Sequence, residues 1–348
     1  MRTTENSKST SQWKADFKEA IRSREQLETI LNTPIPDTGY PLFLPLPLVR
    51  KIKELGKDSP LWKQFIPSLE EEGSQGEVDP IGDHLHAKGS GIIHRYKNRL
   101  LFSPTEVCPV LCRYCFRKNE LLSGDDTFKA NSKALIHYLQ AHPEVEEVIL
   151  TGGDPLILSD DKLSDLLSEL SAVNTVKMIR FHSRTPVILP SRIDESFIEM
   201  INSFTPRFDL ITLVIHTNHT SEWTPEFLYA LKKLKQTDIL LLSQSVLLKG
   251  VNDEVLDLKV LFNSLIKNGV KPYYLHHPDP VKGGMHFTLP LKEGQRIYQE
   301  LKKEVSGFIL PRYVIELPHG NGKTFAQRSS YENQWLTKDG HWMTWDHP

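Results

Sequence analysis

The sequence predicts an α/β protein of parallel strand–helix units, closing as a partial (β/α)6 barrel between an N-terminal helical region and a C-terminal extension. Three observations carry this. Six apolar, strand-like runs recur mostly about thirty residues apart; stretches with apolar residues at helical spacing separate them; and three cysteines follow directly on the first run. Strand, helix, strand at this repeat length means parallel pairing, because a parallel connection needs a crossover of a dozen or more residues. A doubly wound open sheet has the same local grammar. In both architectures ligands collect at the C-terminal strand ends.

Residues 1–90 read as an accessory region. An amphipathic helix around Trp13 to Leu31 leads into TPIPDTGYPLFLPLPL, where proline opposes regular structure, and then into the polar, acidic SLEEEGSQGEVDPIGDH. Residues 91–305 hold the barrel series. Its strands are NRLLFSP, VEEVILTGG, VKMIRFHSRT, DLITLVIHTN, DILLLSQSVL and KPYYLHHPD. Its helices include Lys129 to Ala141, Asp160 to Leu170, Thr224 to Leu234 and Asp253 to Asn268, and a further helix lies near Gly294 to Val305. Residues 306–348 add the strand RYVIEL, the turn PHGNGK and a hairpin around Lys338-Asp339-Gly340, where Asp-Gly supplies the positive φ of a tight turn.

Composition narrows the function. The 348 residues carry 42 Lys plus Arg against 44 Asp plus Glu, a formal charge of −2, which gives no overall pull toward nucleic acid or membrane. The first twenty residues lack the apolar core of a signal peptide, and no stretch reaches the eighteen apolar residues of a membrane span. A cytoplasmic protein with a small or zwitterionic substrate is expected.

The three cysteines are Cys108, Cys112 and Cys115. An odd, clustered set in a chain without an export signal argues for metal ligation or redox chemistry and against a disulfide framework. Structural zinc wants four ligands; no fourth cysteine exists, and His94 and His137 do not sit at ligand spacing. The CxxxCxxC spacing is similar to that of the radical S-adenosylmethionine (SAM) superfamily. Three thiolates there leave the fourth iron of a 4Fe–4S cluster open to SAM.

HRYKNR, CRYCFRK, TGGDPL, HSRTPVILPSRI, HTNH, QSVLLKGVND, PYYLHHPD with GGMHF, and the Gly320-Asn321-Gly322-Lys323 turn occur in order along nearly the whole chain. In these the sequence resembles the lysine 2,3-aminomutase family of radical SAM, pyridoxal phosphate (PLP)-dependent enzymes, including the branch that makes β-lysine for elongation factor P. The resemblance implies a radical SAM (β/α)6 barrel with a PLP-binding C-terminal extension. It implies conversion of L-lysine to β-lysine by 2,3-migration of the α-amino group through a PLP imine on Lys323. It further implies a PLP phosphate anchor at Arg95 and Arg99 with Tyr96 nearby, a SAM site at Gly152, Gly153 and Asp154, and Gln244 and Ser245 lining the SAM and PLP region. Arg117 would pair with the substrate carboxylate, and Asp279 and Glu316 with its ε-ammonium. A reductant such as flavodoxin or ferredoxin would be the protein partner, and a homo-oligomer is left open. GNGK stands where the lysine enzymes carry a longer glycine run, and the extra C-terminal cysteines of their zinc site are missing, so no zinc is expected. Other readings fit parts of the pattern: an aminomutase for another amino acid, a radical SAM enzyme without PLP, or a non-catalytic iron–sulfur protein.

Overall fold

The computed structural model describes residues 11–120, 129–327 and 333–347. Its centre is a ten-stranded sheet whose strands follow one another in chain order: β1 (Ala87–Gly89), β2 (Ile92–Tyr96), β3 (Arg99–Phe102), β4 (Glu147–Leu150), β5 (Met178–Ser183), β6 (Leu210–His216), β7 (Leu240–Val246), β8 (Lys271–His276), β9 (Arg312–Leu317) and β10 (Gly322–Phe325). All six expected strands are present as β3 to β8. Each neighbouring pair from β3 to β9 is parallel, while antiparallel hairpins close both edges. RYVIEL therefore continues the parallel series as a seventh strand beyond residue 305. The cause is the amphipathic helix Leu291–Glu304 before it, which buries Ile297, Tyr298 and Leu301 and so completes one more strand–helix unit.

The helices between strands bury one stripe each. Leu163, Leu166, Leu167 and Leu170 of Asp160–Ser171, and Leu258, Leu261, Phe262 and Leu265 of Val255–Lys267, repeat at i, i+3, i+4 and i+7. Side-chain caps set where several helices start. Asn131 accepts from the Ala134 amide, so the helix expected from Lys129 begins at Ser132, and Ser159 and Thr224 cap the next ones in the same way.

The N-terminal region differs in detail from the sequence reading. The single helix expected around Trp13 to Leu31 is two, Gln12–Lys18 and Arg24–Leu31. Ser23 caps the second, and the intervening Ile21 exchanges both backbone hydrogen bonds with Leu44. The proline-rich stretch also runs into a helix, Leu46–Leu55, whose Pro47 sits in the first turn, where a missing amide costs nothing. Leu27, Leu48 and Phe65 join the same apolar core as the strands and their helices. The tail forms the expected hairpin, β11 (Gln334–Leu336) with β12 (Trp342–Thr344).

Alternation along the strands separates two faces. On β5, Ile179, Phe181 and Ser183 are buried and Met178, Arg180 and His182 are half-buried; β7 repeats the pattern. The half-buried face lines a cavity between the two ends of the sheet, which meet across it. Arg95 of β2 lies 3.4 Å from Glu316 of β9, and the Tyr96 hydroxyl accepts the Lys323 amide of β10 at 2.9 Å. Among the described residues no helix is long and apolar enough to cross a membrane.

Candidate active site

The cysteines lie on the segment after β3, and that segment is held from two sides. The Gly153 and Asp154 amides donate to the carbonyls of Thr105 (2.9 Å) and Val107 (2.8 Å), and the Leu111 and Arg113 amides to those of Phe43 (3.1 Å) and Gln64 (2.9 Å). This contact explains the glycine pair. Gly152 has φ +104, and a Cβ there would stand 1.8 Å from the Ser103 hydroxyl; a Cβ on Gly153 would stand 2.5 Å from the Val107 carbonyl.

Burial raises the pKa of all three thiols, that of Cys115 to about 12, and neighbouring cysteines add to the shift at Cys108 and Cys115. Three adjacent thiols so placed become thiolates only when a metal takes the charge. Among the described residues the ligand atoms of Asp79, His84 and Glu120 all lie within 4.8 Å of one another, and the three sulfurs do not form such a set. Sulfurs around a single zinc ion would be roughly 3.8 Å apart, from Zn–S bonds of about 2.3 Å in a tetrahedron. The donor set fits a larger, thiolate-bound group.

Beyond Cys115 a line of alternating charges crosses the cavity. Arg117 donates through Nε (3.1 Å) and Nη2 (2.6 Å) to Asp83 Oδ2, while Asp83 Oδ1 accepts Arg95 Nη2 at 2.7 Å. Arg95 continues to Glu316, whose other oxygen holds Lys323 Nζ at 2.6 Å. Glu316 and Lys323 face each other because they are directly paired across the β9–β10 hairpin. Asp83 keeps its proton affinity low: burial works against its charge, but Arg117 and Arg95 outweigh it. Half-buried Asp279 behaves oppositely. Burial first, then the Glu316 charge, push it up to about 7.

The remaining predicted residues divide by position. Arg99 stacks its guanidinium on the Tyr96 ring at 3.9 Å, one step from Lys323. Gln244 faces the cavity beside His182, but Ser245 points the other way, as adjacent strand residues must, and its hydroxyl donates to the Thr217 carbonyl at 2.5 Å. The structure thus removes Ser245 from the cavity lining. Asp154 is likewise engaged by protein: its carboxylate accepts from the Leu156, Arg184 and Thr185 amides and the Ser183 hydroxyl at 2.7–3.1 Å. It ties the ends of β4 and β5 together.

Sequence reasoning missed Asp83 and three cavity histidines, His182, His216 and His276, at the C-terminal ends of β5, β6 and β8. His276 Nδ1 is 3.4 Å from Lys323 Nζ, and His216 Nε2 is 3.1 Å from the hydroxyl of Tyr114, which sits between Cys112 and Cys115. Burial holds all three well below the ordinary histidine range, so they are neutral near pH 7. Their signal was a histidine closing each strand run, as in FHSRT, VIHTN and YLHHPD.

The raised Asp279 pKa has a measurable consequence. Its ordinary value is 3.8, so between about pH 4 and pH 7 the folded chain keeps a proton that the unfolded chain releases, and stability present at low pH is lost as pH rises toward 7. Asp279→Asn should match the parent near pH 4 and exceed it by on the order of 2–4 kcal/mol above pH 7. Urea denaturation of the cofactor-free protein at the two pH values checks this; equal pH slopes for the two proteins would contradict it.

Over residues 102–260 the chain matches the radical SAM superfamily. It is 35% identical over 322 residues to the L-lysine 2,3-aminomutase of Haemophilus influenzae, covering 90% of this chain and 94% of that protein. It is 34% identical over 332 residues to that of Escherichia coli K12, covering 92% and 96%. Among solved structures it is similar to Streptococcus suis SuiB bound to S-adenosylmethionine, with a TM-score of 0.47 and 15% identity over 66% of this chain and 53% of that one. With a third of its residues shared along almost the full length of both bacterial enzymes, the chain belongs to the lysine 2,3-aminomutase family within the radical SAM superfamily.

Proposed function

We propose that this chain is an isomerase that converts L-lysine to β-lysine by moving the α-amino group to Cβ. The observation that carries the reading is the set of charged side chains that meet at the inner face of the sheet. Lys323, Glu316 and Asp279 meet there, and the Arg95–Asp83–Arg117 line joins them to the cysteine segment. When bound, a reduced 4Fe–4S cluster with SAM supplies a carbon radical, and PLP supplies a π system through which nitrogen can shift.

The chain's own residues supply the rest. Cys108, Cys112 and Cys115 would hold the cluster, and Gly152 and Gly153 keep their segment close against the β4 end. Lys323 would hold PLP, with Arg95, Tyr96 and Arg99 on the phosphate side. Among the described residues the buried Arg95 Nε has no hydrogen-bond partner and is available to an anion, whereas its Nη atoms are shared with Asp83, the Ile81 carbonyl and Glu316. Arg117 would orient the substrate carboxylate. Glu316 and Asp279 would bind the ε-ammonium, with the substrate cation taking over the partner that Lys323 Nζ now provides. Two carboxylates at one place select a cation and reject an acidic side chain. Neutral His182, His216 and His276 and Gln244 would line the cavity and add no charge of their own near the reacting atoms.

The same reading treats the sheet as a partial barrel, because contacts from β2 to β9 and β10 bring its two ends together. It keeps 1–90 as accessory region, 91–305 as barrel and 306–348 as PLP-binding extension, with β9 as the strand by which the extension joins the barrel. A low-potential donor such as flavodoxin or ferredoxin would reduce the cluster. Neither nucleic acid nor membrane would be a partner of this cytoplasmic enzyme.

Three experiments test the assignment. Borohydride reduction should fix PLP to the parent chain and not to Lys323→Ala, while iron and sulfide content stay unchanged; undiminished trapping would place PLP on another lysine. Asp279→Asn should weaken lysine use by roughly 2–5 kcal/mol, read as a raised KM, the usual loss on truncating one partner of a buried charge pair. β-Amino acid assays should show lysine preferred over ornithine, arginine and glutamate; preferred turnover of glutamate would overturn the substrate assignment.

A further inference from the structure

Glu71, in the 3-10 turn Leu69–Glu72 of the N-terminal region, is a buried carboxylate that the function above does not use. Its oxygens accept Arg113 Nε at 2.9 and 3.0 Å, Arg113 Nη2 at 2.5 Å, Lys118 Nζ at 2.8 Å and the Ser68 amide at 3.0 Å. Arg113 lies between Cys112 and Cys115, and Lys118 follows Cys115 by three residues. The side chains of Glu71 and Lys118 are 0% exposed and that of Arg113 is 1% exposed.

Other contacts lock the same group. Arg113 also donates to the Pro41 carbonyl (3.2 Å) and the Thr38 hydroxyl (3.0 Å). Lys118 donates to the carbonyls of Arg113 (3.0 Å) and Gly283 (2.9 Å), and its ammonium lies 3.7 Å from the centre of the Tyr40 ring. Two cations are thus fixed on the cysteine segment by one anion from outside it. Charges so thoroughly buried are weakly screened, so each one acts on whatever charge the cysteines carry.

We propose that Glu71 is a positioning residue of the cluster site, which orders the cysteine segment through Arg113 and Lys118 and, by cancelling one of their two charges, holds the cluster's reduction potential low. This rests on the reading of the three cysteines as cluster ligands. Reduction adds one electron to an already anionic cluster. Net positive charge beside it favours the reduced form, and a nearby carboxylate opposes it.

The test is an EPR-monitored redox titration of the anaerobically purified, reconstituted enzyme without SAM. Glu71→Gln should raise the midpoint potential, because two cations then stand unopposed, and Glu71→Asp should stay near the parent. Lys118→Met should lower it. The double variant Glu71→Gln/Lys118→Met loses one charge of each sign and should return toward the parent, an outcome that simple loosening of the segment would not give. Should Glu71→Gln not assemble, the comparison of the double variant with Lys118→Met reads the same charge, and the double variant should titrate at the higher potential. An unchanged or lowered potential in Glu71→Gln, or a double variant no higher than Lys118→Met, overturns the proposal. A parent enzyme with no cluster signal and no iron or sulfide would instead overturn the cluster reading itself.

Discussion

Arg117, Asp83, Arg95, Glu316 and Lys323 form a line of alternating charge from the cysteine segment to the last hairpin of the main sheet, and the cavity is organised by it. None of these charges could be buried alone, since an unpaired ion in a low-dielectric site either changes protonation or unfolds its surroundings. Pairing each with the next draws together segments that are far apart in the chain: the acidic stretch before β1, the cysteine segment, β2, and the β9–β10 hairpin. The geometry of the sheet follows, because β2 can reach β9 only if the two ends of the sheet meet across the cavity.

The same line gives the cavity two kinds of anchoring point. Its arginines offer donors for anions, and the Glu316 end, with Asp279 beside it, offers acceptors for a cation. A zwitterion with a second ammonium suits that distribution. The cysteine segment stands at one end of the line and the Lys323 amine at the other, so radical generation and nitrogen transfer would be served by separate groups facing one space.

The strands, the helices between them and the cysteine site were legible because each is a local pattern: apolar runs of strand length, stripes at helical spacing, three thiols in eight residues. What the sequence hid was long-range pairing. Asp83 and Glu71 lie in or beside an acidic, glycine-containing stretch with no periodicity, and nothing in SLEEEGSQGEVDPIGDH says that one carboxylate reaches Arg113 and another joins Arg95 to Arg117. Ser245 was misplaced because letters next to each other on a strand point to opposite faces, and the resemblance names positions without faces. The N-terminal helix was drawn too long because the Ile21–Leu44 bridge that breaks it depends on a segment more than twenty residues away.

The proposed activity moves the α-nitrogen of lysine to the neighbouring carbon within one molecule. Lysine labelled with nitrogen-15 at the α position, incubated anaerobically with the reconstituted enzyme, SAM, PLP and a reductant, tests this most directly. β-Lysine should form with the label retained in full at C3. Label lost to solvent as ammonia, or SAM cleaved without any labelled β-lysine, would contradict it.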